Sequence, residues 1–302
     1  MTRNLNNLFV SAVAACLSAT ILSASLPASA ATGPVQTGVK LATRVSPTGY
    51  YAAPYRGSNG HIDAVKTLTN VKKKGANTYQ FLLANRFGQH SVVDLADMPH
   101  FLTVARTLRI KVWIILVPPT EAVYKFTGNC SANQYPPYNG NYINGWAAAL
   151  GRLAKTHSAL VGWGIDDFGY NTTAKPNPRC QTFTPTVIAA MRVKMNTTAK
   201  RSLNFAPTLY FPDLTVAKIP SKIKLTDVTY PFVEVGREGT LLKARIAAIR
   251  KLYPKLRIHL MIYAEGTRFY GKPTAATVDA GVKVGKALPG VVSVIIYNQQ
   301  LS

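Results

Sequence analysis

The sequence predicts an α/β fold of the (β/α)8 TIM barrel class, in a single domain, and three observations point to it. Eight short apolar runs of strand length recur along the chain. A segment of helical period fills each gap between them, and the whole spans about 250 residues, the size of such a barrel. The competing arrangement, a doubly wound open sheet, calls for a Gly-rich phosphate loop after its first strand. Here Ala53-Pro54-Tyr55-Arg56-Gly57 stands in that place.

The first strand is expected over Gly49–Pro54 and the first helix over His61–Lys74. The Lys72-Lys73-Lys74 run falls where cations favour the negative end of a helix dipole, and Gly75 ends the helix. Thr78–Ala84 reads as the second strand, with a helix over Leu95–Arg109. Lys111–Val117 is the third strand, followed by a long loop rich in Pro, Asn, Gly and Tyr and a helix over Ile143–His157. The fourth strand, Leu160–Asp166, leads through a second long loop to a helix over Pro185–Lys200, opened by Thr184-Pro185. Leu203–Tyr210 is the fifth strand, and Asp213 opens a helix over Asp213–Ile219. Asp227–Val233 precedes a helix over Thr240–Leu252 that stops before Pro254, and Arg257–Ala264 precedes one over Ala275–Ala287 that stops before Pro289. Val291–Asn298 is the eighth strand. The chain ends soon after it, so the eighth helix is expected to be absent or replaced by the amino-terminal linker.

Composition agrees with a packed core: 47% of the 302 residues are hydrophobic, with 19 Pro and 21 Gly. Thirty-five Lys and Arg against 12 Asp and Glu leave a formal charge of +23. The bases are spread along the chain rather than gathered in a stripe or recognition helix. This argues against specific nucleic-acid readout and for a polyanionic neighbourhood such as an anionic cell envelope. Residues 1–30 hold one base, Arg3, no acid, an apolar stretch from Leu8 to Leu26, and then Pro27-Ala28-Ser29-Ala30-Ala31. That is the pattern of a secretory signal peptide cut after Ala30. A linker over 31–45 and a barrel over 46–302 would then form a secreted monomer with no transmembrane anchor after cleavage. The alternatives are an uncleaved anchor or a lipoprotein tethered at Cys16, within Val13-Ala14-Ala15-Cys16. Cleavage leaves Cys130 and Cys180, an even count that in an exported protein points to one disulfide joining the loops after the third and fourth strands.

The twelve carboxylates can be sorted one by one. Asp63, Asp94, Asp97, Asp213 and Asp279 fall in or near first turns of helices, where the dipole explains an acid, and Asp227 opens the sixth strand at the far end. Glu121, Asp166, Asp167, Glu234, Glu238 and Glu265 all lie just past strand ends, where barrel enzymes build their sites. The sharpest segment is Gly162-Trp163-Gly164-Ile165-Asp166-Asp167-Phe168. Strand alternation turns one Asp to the mouth and its neighbour to the wall or a helix, so one can be catalytic while the other orients it. Glycosidic cleavage needs two carboxyl groups across a cleft. Asp166 or Asp167 with Glu265 is the expected pair, with Glu234 as the alternate partner. Glu238, beside Arg237, reads as a surface ion pair, and Glu121 as another such pair or as substrate-binding. Tyr51, Trp163, Tyr210, Tyr230, Tyr263 and Tyr297 could stack on sugar rings, with Gln80 and Asn298 as polar contacts.

The five histidines show no zinc-ligand spacing and there is no GxSxG elbow, which disfavours metal-hydrolase and serine-hydrolase chemistry. No cofactor is called for. At these residues the chain resembles the superfamily of secreted glycoside-hydrolase barrels, over nearly all of residues 45–300 in element order. The Gly-Trp-Gly-Ile-Asp-Asp-Phe segment is similar to those of exported bacterial barrels. It departs from the chitinase-type spaced Asp series closing in Glu, and from the Asn-Glu pair of retaining cellulase-type barrels. The resemblance implies a secreted glycoside hydrolase acting on a polysaccharide. A non-catalytic barrel that binds envelope glycans is the first rival and a secreted phosphodiesterase the second.

Overall fold

The computed structural model describes residues 48–83, 91–118, 137–138, 141–172, 183–216, 219–234, 236–266 and 271–300. The signal segment, the linker, Cys16, Glu121, Cys130 and Cys180 lie outside the described residues. Among them, eight strands alternate with seven helices: β1 (Gly49–Ala53), α1 (Ala64–Lys73), β2 (Thr78–Leu83), α2 (Ser91–Thr107), β3 (Lys111–Leu116), α3 (Ala148–Thr156), β4 (Leu160–Ile165), α4 (Pro185–Ala199), β5 (Asn204–Phe205), α5 (Phe211–Thr215), β6 (Asp227–Phe232), α6 (Lys243–Leu252), β7 (Arg257–Tyr263), α7 (Ala275–Ala287) and β8 (Val291–Gln300). The strands run in the order β5-β4-β3-β2-β1-β8-β7-β6, each pair parallel. The two outer strands meet through the parallel bridge Thr208↔Thr229, where Leu209 N–H donates to Thr229 O and Thr229 N–H to Pro207 O, each at 3.0 Å. The sheet thereby closes on itself.

Four elements differ from expectation. The fifth strand shortens to two residues because Pro207 has no N–H to give the ladder, and Tyr210 becomes the residue that opens α5. Single π-helical turns, Tyr142–Ala147 and Glu238–Leu242, lead into α3 and α6 where continuous α-helix was expected. The second helix begins earlier, at Ser91, and carries Pro99 inside it.

Side-chain parity divides the interior in two. Tyr51, Trp113, Ile115, Ala206, Met261 and Ile295 form a cluster inside the barrel, while the larger core lies between sheet and helices. On β4 the inward positions are Gly162 and Gly164. A Cβ on Gly162 would meet the Trp113 indole and Asn204 O, and one on Gly164 would meet Ala206 O and Ile115 Cδ1. The absent side chains of β4 therefore make room for the large ones of β3. At the end where strands begin, Asp227 Oδ1 meets His259 Nε2 at 3.1 Å, and His259 Nδ1 meets Ser293 Oγ at 2.7 Å. This chain ties β6, β7 and β8 together.

Candidate active site

The alternation that places Gly162 and Gly164 inward does the same for Asp166, at the carboxyl end of β4. Its N–H still bonds Leu116 O at 2.9 Å, and Tyr51, from β1, donates its hydroxyl to Asp166 Oδ2 at 3.0 Å. Asp167 breaks the strand: its φ of 39° and ψ of 43° are left-handed, a conformation that Asp tolerates better than most residues. Asn171 Nδ2 donates to Asp167 O at 3.1 Å and steadies the turn. The Asp167 carboxylate lies near the Tyr210 hydroxyl, whose pKa its charge raises. Of the two adjacent carboxylates, Asp166 is held by Tyr51 and Asp167 faces Tyr210.

Tyr210 is itself bracketed. Burial lifts its hydroxyl well above the usual tyrosine range, and the charges of Asp167 and Asp166 add to the effect. Its N–H donates to Asp213 Oδ2 at 2.9 Å. Asp213 packs against Gly169, where a Cβ would meet the carboxylate. Burial pushes the Asp213 carboxyl up to about 6, with the Tyr210 N–H opposing and the Asp167 charge reinforcing the shift. Asp213 is the site residue that the dipole argument missed. It does occupy the first turn of α5, but α5 starts directly at the exit of β5, so helix start and barrel mouth coincide. Its position three residues past the expected fifth strand was the available signal.

Tyr263 and Tyr297, on neighbouring strands, stack with ring centroids 4.3 Å apart, and Tyr297 stacks on Tyr51 at 5.4 Å. The three rings form an aromatic layer beside Asp166 at the top of the lumen. Tyr263 also hydrogen-bonds Tyr210, and burial raises its hydroxyl well above the usual range. Gln80 is buried in the lumen and donates from Nε2 to Thr229 Oγ1 at 3.3 Å, while its Oε1 has no partner among the described residues.

The remaining expected residues lie elsewhere. Trp163 and Tyr230 are fully buried in the core between sheet and helices, because strand parity turns them away from the lumen, so neither can stack on a substrate ring. Asn298 follows the lumenal Tyr297 and has the opposite parity. Glu234 is committed to Arg245 through two contacts, Nη1 to Oε2 at 2.7 Å and Nη2 to Oε1 at 2.6 Å. Burial would lower the Arg245 pKa, but Glu234 and Tyr230 together outweigh it and raise it. Glu265, past β7, has a looser contact with the exposed Lys272, at 3.9 Å.

Other carboxylates are engaged structurally. Asp63 caps α1 through Lys66 N–H at 2.8 Å, Asp94 pairs with Arg56 at 2.7 Å, and Asp97 with His61 at 2.8 Å. Among the described residues no three His, Cys, Asp or Glu side chains form a metal-ligand set. Among the described residues, the carboxylates that remain for chemistry at the mouth are Asp166, Asp167, Asp213 and Glu265.

The barrel is similar to several solved structures. A GH113 β-1,4-mannanase matches with a TM-score of 0.54 at 9% identity, over 85% of this chain and 89% of that one. The GH113 β-mannanase from Alicyclobacillus acidocaldarius, in complex with ManMIm, matches with a TM-score of 0.51 at 10% identity, over 84% and 87%. The endoglucanase Cel5A from Pseudomonas stutzeri matches with a TM-score of 0.50 at 10% identity, over 84% and 85%. No protein-family model and no curated protein matches the chain. At these identities the likeness is one of fold: the chain is a (β/α)8 barrel whose structural neighbours are glycoside hydrolases.

Proposed function

We propose that this protein is an exported glycoside hydrolase that cleaves a polysaccharide at the mouth of the barrel. The observation that carries the reading is the pair Asp166 and Asp167 at the carboxyl end of β4, with Asp166 bonded to the Tyr51 hydroxyl and Asp167 beside Tyr210. Asp166 acts at the anomeric carbon, directly or through a water. The Tyr51 hydroxyl bonds its Oδ2 and fixes its orientation. Glu265, from the facing wall, protonates the leaving oxygen, and its loose pairing with Lys272 leaves it available. Asp167 and Asp213 stand beside the reaction as a carboxyl pair. The elevated pKa of Asp213, about 6, supports a second assignment in which Asp213 is the proton donor in place of Glu265. The tyrosine layer supplies an apolar surface for a sugar ring. The fold shared with polysaccharide hydrolases raises the prior for this chemistry without assigning a sugar.

Reducing-end release from a panel of neutral and acidic polysaccharides tests the reading. Asp166→Asn should lower kcat by about 10²-fold or more, and loss of the proton donor should do likewise. If Glu265→Gln is silent while Asp213→Asn is not, the second assignment holds. Folded wild type that binds a glycan and releases nothing would make the protein a binding barrel. Export and the Cys130–Cys180 bridge belong to the same proposal. The mature protein should begin at Ala31 by amino-terminal sequencing, and it should show no free thiol on alkylation.

A further inference from the structure

The charges of the barrel are divided between its two ends. Among the described residues the acids gather where strands end and helices begin, apart from Asp227, which is fully buried and held by Arg257 and His259. Residues 1–47 bring no Asp or Glu to the molecule. At the opposite end each αβ turn delivers exposed bases. Those in last helical turns, such as Lys73 and Lys286, follow from the helix dipole. Lys200 is the C-cap of α4, while Arg109, Lys111, Lys224 and Lys255 are exposed and lie past the helix ends, where the dipole's pull has largely fallen off.

Three of these have positive φ: Arg109 at 56°, Lys200 at 55° and Lys224 at 50°. With Asp167 they are the non-glycine residues in that region among the described residues. Glycine would adopt this backbone freely, as it does at Gly75 and Gly290 in the turns before β2 and β8. In three turns the chain carries a cation where glycine would be less strained, and such outliers persist where a side chain has a use.

We propose that the end of the barrel where strands begin docks on a polyanionic polysaccharide, leaving the mouth with Asp166 and Asp167 facing away from it. Lysine dominates this surface, and its flexible, strongly hydrated point charge suits many weak contacts along a polymer. The helices turn their carbonyl ends toward this face, which opposes the close approach of densely packed phosphates but lets extended lysines reach spaced carboxylates. Among the described residues no aromatic is among the exposed large apolar side chains, so they offer bases no stacking platform and a bilayer no aromatic anchor.

Binding of the full chain to polygalacturonate, measured at low and at physiological salt, tests this without reading turnover, so its outcome is independent of the catalytic proposal. The triple variant Arg109→Gly, Lys200→Gly, Lys224→Gly removes three cations and installs the residue that the backbone prefers. Its affinity should fall about tenfold or more at low salt, while its melting temperature holds or rises. The matched variant Lys66→Gln, Arg237→Gln, Lys243→Gln removes the same charge near the other end and should bind as wild type. Equal losses in both variants, or none in the first, overturn the proposal. So does tighter binding to duplex DNA or to phosphatidylglycerol vesicles than to polygalacturonate at the same salt.

Discussion

Asp166 and Asp167 are neighbours in sequence with different surroundings, and the difference lies in one dihedral pair. Asp166 keeps the strand's geometry and meets Tyr51, whereas the left-handed turn at Asp167 swings its carboxylate to Tyr210 and toward Asp213. Tyr51→Phe should therefore reduce kcat less than Asp166→Asn does, since it removes a bond to the carboxylate and leaves the carboxylate in place. Steady-state kinetics on the substrate found by screening would show it. Asp213 also predicts a pH signature. Its folded pKa, about 6, lies above the usual aspartate value of 3.8, so the folded protein binds the proton more tightly than the unfolded chain. The penalty is absent below the unfolded value, grows between the two values and is complete above about 6. Asp213→Asn should thus stabilise the protein by about 1–2 kcal/mol at pH 8 and make little difference at pH 3.5, as read by denaturant unfolding. A flat difference across that range would remove the argument for an elevated pKa.

At the scale of elements, β4 and the β6–β7–β8 corner show how packing sets what a sequence pattern means. The Gly162-Trp163-Gly164 segment looks like a substrate surface because a tryptophan sits on a strand leading to two acids. The glycines in fact receive Trp113 and Ile115 from β3, and Trp163 faces the helices against Phe205, 4.3 Å between ring centroids. Gly162→Ala should destabilise by about 1–3 kcal/mol, because its Cβ would collide with the indole and a backbone oxygen. Thermal or denaturant unfolding measures it. At the other end, burial alone would raise the Asp227 pKa, but hydrogen bonds from His259 and Arg257 outweigh it and hold the carboxyl below the usual range. Its contribution to stability is present above the unfolded value near 4 and is lost as pH falls through the lower folded one. Asp227→Ala should cost about 3 kcal/mol near pH 7, where it leaves buried partners unpaired, and much less in strong acid. The expected Leu203–Tyr210 strand fails for a similarly local reason: Pro207 interrupts the ladder, and the chain spends the next residues closing the barrel and starting α5.

For the whole molecule, a formal charge of +23 becomes informative only when it is located. Apart from Asp227 the described carboxylates gather at the mouth, where Arg56, Arg245 and Lys272 pair with some of them, while the αβ turns at the opposite end carry exposed cations, so association of that end with a polyanion should weaken with salt. The sequence by itself determined the class of fold, because the rhythm of apolar runs and helix periods over this length admits few closed arrangements. It also pointed to carboxylate chemistry, because twelve acids could be sorted individually and five of them assigned to helix starts. Tertiary structure alone decided which aromatics reach the lumen, since parity across a bulged, closing barrel cannot be counted from a single strand. It also decided that Glu234 belongs to Arg245, on the helix that follows its strand, and that Asp213 joins Asp167 from another strand's loop. Local pattern sets what a segment becomes, while burial and the charges of sequence-distant neighbours set what its side chains can do.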